Sequence, residues 1–134
     1  MKLNSMKKIT IVLICFISFI HINAQITPTK LITKTINVQV AGTLSTLISN
    51  DDMYNISNLI LTGNIDARDI KCFYSMYNLS VLDLSETNIM EYYGTGGVGP
   101  NPYTEIRLYP ANEMPTYSFV FLDFNSSLTS LILP

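Results

Sequence analysis

Three apolar hexapeptides in this chain share one internal spacing. They are Ile56-x-x-Leu59-x-Leu61, Leu79-x-x-Leu82-x-Leu84 and Leu128-x-x-Leu131-x-Leu133. Their central leucines lie 23 and then 49 residues apart. The second interval equals about two turns of a repeat of roughly 20–29 residues, or one turn plus an insertion. A unit this short cannot bury its own apolar face, so it must lay that face on the next copy, and the chain is constrained to a stack. Successive side chains of a strand point to opposite faces. Ile60, Asp83 and Ile132 therefore fall on the face away from the leucines and are the candidate ligand-facing positions.

Residues 1–24 read as a secretory signal and not as fold. Lys2, Lys7 and Lys8 form a positive leader, Ile9 to Ile20 is apolar apart from Thr10 and Ser18, and Ala24 gives a small residue at the expected cleavage point. The apolar run is shorter than the roughly 20 residues that span a bilayer comfortably. Ile14 before Cys15 does not suit a lipoprotein signal. The expected location is secreted or cell-surface, with no membrane insertion once the signal is removed.

Removal of residues 1–24 leaves 110 residues, with Lys30, Lys34, Arg68, Lys71 and Arg107 against all ten acidic side chains, a net charge of −5. That balance gives no electrostatic footprint for nucleic acid. The single histidine, His21, departs with the signal, and with it any His-based catalytic triad or histidine-ligated metal site. An enzyme would need a carboxylate pair in a pocket, such as Asp83 with Glu86 or Glu91. The reading is therefore a non-enzyme, with no cofactor and no metal. Cys72 is left without an internal partner and reads as a small, half-buried residue of a helix.

Along the chain, residues 25–35 read as a tether and 36–55 as an N-terminal cap. In the cap, Ile36, Val38 and Val40 alternate as a strand, and Thr43 opens a short helix with Leu44, Leu47 and Ile48 on one face. Asn50-Asp51-Asp52 is expected to end that helix in a polar turn. Residues 56–134 carry the repeats. Gly63-Asn64 is expected to turn the chain out of the first repeat strand, after which Asp66 caps a helix with Asp69 in its first turn. Ile70, Phe73, Tyr74 and Tyr77 then form its apolar stripe. Thr87-Asn88-Ile89 follows Leu84 much as Gly63-Asn64-Ile65 follows Leu61, one residue later, with asparagine expected to satisfy backbone groups beside the strand.

Residues 92–112 break the period. Four glycines between Gly94 and Gly99, with Pro100, Pro102 and Pro110, argue for a long loop, with a short strand around Ile106-Arg107-Leu108. Tyr92, Tyr93 and Tyr103 make it a candidate contact loop, because tyrosine gives contact area at low entropic cost. Phe119, Phe121, Leu122 and Phe124 supply apolar bulk before the last repeat strand. No cap is evident after Leu133-Pro134, so further repeats of the same array are expected.

The hexapeptides match the L-x-x-L-x-L core of leucine-rich repeats. The predicted fold class is an α/β leucine-rich repeat solenoid fragment with short parallel strands, an N-terminal strand-helix cap and a long loop insertion. Ala41-Gly42-Thr43-Leu44-Ser45-Thr46-Leu47-Ile48, Val81-Leu82-Asp83-Leu84-Ser85, and Asn112-Glu113-Met114-Pro115-x-Tyr117-Ser118-Phe119 leading to Ser127-Leu128-Thr129-Ser130-Leu131-Ile132-Leu133-Pro134 resemble the BspA-like leucine-rich repeat proteins of the Bacteroides cell surface. Ser118 stands where that group usually has Ala, and Met114 where it has Ile. The resemblance implies a surface-exposed, adhesin-like module that binds a protein or glycan partner. The alternative is a structural N-terminal cap of a longer repeat protein, with no ligand of its own.

Overall fold

A computed structural model describes residues 30–120 and 127–134. It is an α/β structure whose main sheet has four parallel strands in the order β1-β2-β3-β6: β1 (Ile32–Val38), β2 (Ile56–Ile65), β3 (Val81–Ile89) and β6 (Ser130–Ile132). The three hexapeptides thus lie side by side and parallel, as their spacing predicts. Leu59 pairs with Leu82, and Leu82 with Leu131. The short helices α1 (Leu44–Leu47), α2 (Asn50–Asn55) and α3 (Ala67–Cys72) connect the first strands, and a 3-10 turn, Phe73–Ser75, follows α3. The leucine face of the sheet and the helices share one core, in which Leu59, Leu61, Ile70, Phe73, Leu82 and Leu84 are fully enclosed. The signal segment, the start of the tether, and Phe121, Leu122 and Phe124 lie outside the described residues, as does the Phe119 side chain.

Burial along the sheet is graded. Ile56, Leu59 and Leu61 are 0% exposed, and Leu79, Leu82 and Leu84 are at most 1% exposed. The equivalent Leu128 and Leu131 are only partly buried, and Leu133 is 45% exposed. A layer is sealed only where another lies on each side of it. The layer of β6 has a neighbour on one side among the described residues.

Several local expectations are corrected. β1 begins at Ile32, inside the stretch read as tether, and ends at Val38, leaving Val40 65% exposed. Its pairing with β2 runs from Ile32↔Ile56 to Val38↔Gly63, and that ladder orders the segment. Asn50-Asp51-Asp52 does not end the first helix but opens a second, α2. There the Ser49 hydroxyl accepts the Asp52 N–H, and both aspartates occupy the first turn, where a carboxylate suits the helix dipole. Thr43 precedes α1 without a side-chain cap, and its hydroxyl donates instead to the Val40 carbonyl. A four-residue helix has only one inward side, so Leu44 and Ile48 are buried while Leu47 is 48% exposed.

Gly63-Asn64 does not leave the strand either, since β2 continues to Ile65 and β3 correspondingly to Ile89. The apolar stripe of α3 also shifts. The α-helix stops at Cys72 and winds on as a 3-10 turn, which advances the face faster than an α-helix does. Met76 is therefore the fully buried residue, and Tyr77 is 57% exposed.

Asp66 and Asp69 do act at the head of α3, as a capping box. Asp69 does more than cap, because its buried carboxylate also accepts the backbone N–H groups of Gly42 and Leu44, tying the first helix region to α3. Burial pushes its pKa up, against the lowering pull of those N–H donors. The long segment after β3 is not purely loop, since Tyr92–Gly94 (β4) and Arg107–Tyr109 (β5) pair antiparallel as a two-stranded sheet.

Candidate functional site

The outer face of the parallel sheet is built by the same alternation that buries the leucines. Thr35, Ile60, Asp83 and Ile132 pair in register across all four strands and make one continuous row. The three positions predicted from the hexapeptides are therefore neighbours. Ile60 and Asp83 are half-buried within the row, and Ile132 at its edge is 44% exposed. Thr33, Asn58, Val81 and Ser130 form the row on one side, and Asn37, Thr62 and Glu86 the row on the other. The face offers hydroxyls and amides around an apolar centre, with Asp83 and Glu86 as its charges.

A bulge shapes this surface. Between Ile60↔Asp83 and Thr62↔Glu86, β3 carries one residue more than β2. The Asp83 carboxylate spans the irregularity, accepting the Ser85 N–H at 2.9 Å and the Ser85 hydroxyl at 2.7 Å. Those two bonds hold its pKa below the ordinary carboxylate value, so Asp83 stays ionised at neutral pH. Sequence reasoning located Asp83 but not the bulge, because an extra residue leaves the L-x-L spacing of each strand intact.

Side-chain amides line the end of the sheet. Asn37 donates to the Thr62 hydroxyl at 2.9 Å, Asn64 to the Gln39 carbonyl at 3.3 Å and Asn88 to the Asn64 side-chain oxygen at 3.4 Å. Asn64 and Asn88 are paired across β2 and β3. Asn64 follows Leu61 by three residues and Asn88 follows Leu84 by four, and the extra residue of the β3 bulge takes up the difference, so the two amides meet across the ladder.

The tyrosines do not join the row. Tyr92 turns inward, stacking on the buried Tyr109 ring at 6.0 Å between centroids, with the Arg68 guanidinium 4.2 Å from its own ring centre. The Tyr109 hydroxyl donates to the Val98 carbonyl at 2.7 Å, which fixes the glycine-rich stretch. The Lys71 ammonium sits 3.5 Å from the centre of the Tyr103 ring. Both cations belong to or border α3, so Tyr92 and Tyr103 lie on the helix side of the molecule, opposite the Ile60–Asp83–Ile132 row. Tyr93 pairs with Leu108 on the outward side of the hairpin, and the two are 72% and 58% exposed. The loop predicted as one contact surface is thus divided: Tyr92 is structural, while Tyr93 and Tyr103 are accessible.

Cys72 is largely enclosed, and burial pushes its thiol up to about 11. Such a thiol carries little thiolate at neutral pH and is a poor nucleophile. Among the described residues no three His, Cys, Asp or Glu side chains gather to hold a metal ion, and no helix is long and apolar enough to cross a membrane. No protein-family model matches the chain, and no curated protein matches it.

Proposed function

We propose that the chain is a non-enzymatic binding module of the leucine-rich repeat class, secreted or displayed at the cell surface, whose outer sheet face takes a protein or glycan partner. The observation that supports this reading is the in-register row Thr35–Ile60–Asp83–Ile132, a mixed apolar and charged strip on an open face. The signal-like sequence at residues 1–24 and the resemblance to BspA-like proteins support a location of that face outside the cell.

Size narrows the partner. Strands spaced about 4.8 Å apart make a four-strand face roughly 14 Å wide, and a few rows along each strand give an area on the order of 200 Å². A standard protein interface buries about 800 Å² on each partner. The face therefore suits a short glycan or an extended peptide by itself, and a folded protein when further strands widen it.

The graded burial from Leu59 to Leu131 favours a second reading, in which these strands are the first layers of a longer solenoid and act as its cap. One experiment separates the two. The full chain and its Asp83→Arg and Ile60→Asp variants are immobilised and exposed to panels of purified glycans and extracellular-matrix proteins. Retention of a partner by the parent chain, lost in both variants, supports the binding face. Retention of none favours the cap, and equal retention by all three places any binding away from the sheet face and overturns this reading of it.

A further inference from the structure

Three separate parts of the chain converge on a groove of about 430 Å³ on the helix side, away from the sheet face. The segment before and within the first helices supplies Gly42 and Ser45, α3 and its 3-10 turn supply Arg68, Lys71 and Ser75, and the glycine-rich loop supplies Tyr103. That volume lies within the range of small-ligand sites, roughly 300–1,000 Å³. We infer that this groove binds an acidic saccharide, a sugar bearing a carboxylate or sulfate.

The argument begins with charge. After residue 24 the chain has five cations against ten carboxylates, yet two of the five line this groove and no carboxylate does. Arg68 is already committed, pairing with Asp66 at 2.5 Å and donating to the Ala41 carbonyl at 3.1 Å. Asp66 and Asp69 lie beneath the surface, the first held by Arg68 and the second by three backbone N–H groups. Lys71 is left as the cation at the mouth, with no ion pair among the described residues.

Shape then selects among anions. The Lys71 ammonium lies over the Tyr103 ring, which is 78% exposed and so leaves aromatic surface open beside a positive charge. A flat aromatic face receives the C–H groups of a pyranose ring, while the neighbouring ammonium takes an acidic substituent. The Ser45 and Ser75 hydroxyls are exposed in the same groove and match sugar hydroxyls in both donor and acceptor roles. A bare phosphate would use the ammonium alone and leave the ring and the hydroxyls without a role.

The test is calorimetric titration of the full chain with three probes: a uronate tetrasaccharide, a neutral hexose tetrasaccharide and inorganic phosphate. The uronate oligomer is expected to bind, with affinity that falls as salt rises. Lys71→Gln weakens that binding about tenfold, Lys71→Arg restores most of it, and Tyr103→Ala weakens it by a similar factor. Circular dichroism confirms that each variant keeps its fold. Asp83→Asn is the counterpart on the sheet face: uronate binding lost in that variant but kept in Lys71→Gln would assign it to the sheet face and overturn this inference, so failure of one reading is distinct from failure of the other. Equal binding of the neutral oligomer, tighter binding of phosphate, indifference to both substitutions, or no heat at millimolar uronate would each overturn the inference.

Discussion

The Asp69 carboxylate accepts the backbone N–H of Leu44 at 2.8 Å, across 25 positions of sequence. The same side chain takes the N–H of Gly42 and of Asp66. One buried anion therefore serves donors from two segments that no strand ladder joins. Asp69→Ala would strand three backbone donors in the interior. The expected cost is about 3 kcal/mol or more, read from chemical denaturation. Asp69→Asn retains one acceptor oxygen and should lose less. An alanine variant as stable as the parent would show that this tie does not hold the fold.

Gly63 lies within β2 at φ +89°, and a Cβ there would sit 2.5 Å from the Val38 carbonyl oxygen. Both the backbone conformation and the close approach of β1 demand glycine. Gly63→Ala is expected to destabilise the protein by about 2 kcal/mol, with the loss concentrated in the β1–β2 pairing. A thermal melt measures the total, and a melting temperature unchanged from the parent would contradict the geometry.

Cys72 offers a chemical probe of packing. A thiol pushed up to about 11 has far less thiolate at pH 8 than an ordinary one. Alkylation by iodoacetamide in the native protein should be about a hundredfold slower than in denaturant, where the thiol recovers its usual acidity. Equal rates in the two conditions would place the side chain in solvent.

Lys34 donates to Asp52 at 2.7 Å and, with Ser49, lowers the Asp52 pKa from its usual 3.8. A lowered carboxylate contributes its stabilisation above its ordinary pKa and loses it as pH falls through the folded-state value. The pair is solvent-screened, so the contribution is small, but the titration itself is measurable. Carboxyl NMR should place the Asp52 midpoint below 3.8, and Lys34→Met should move it upward. A midpoint that ignores the substitution would remove Lys34 as the cause.

The apolar spacing carried the architecture. Leu59, Leu82 and Leu131 were legible as one row because a fixed period of two within each strand leaves few other registers. Asp83 was legible as outward-facing for the same reason. Local winding was not. The 3-10 turn at Phe73–Ser75 exchanges Tyr77 for Met76 in the core, and no composition cue marks where an α-helix tightens. The fate of the tyrosines was hidden too. Arg68 over Tyr92 and Lys71 over Tyr103 are contacts between segments far apart in sequence, and only the fold brings them together.

β6 is joined to β3 through just three residue pairs, Val81↔Ser130, Leu82↔Leu131 and Asp83↔Ile132. β2, by contrast, is gripped along most of its length on both sides. Deuterium should therefore enter the sheet as an advancing front, reaching the amides of Ser130 to Ile132 first and those of Leu59 and Leu61 last. A ligand seated across Asp83 and Ile132 would slow that front at its starting point, turning the least protected strand into the most sensitive reporter of occupancy.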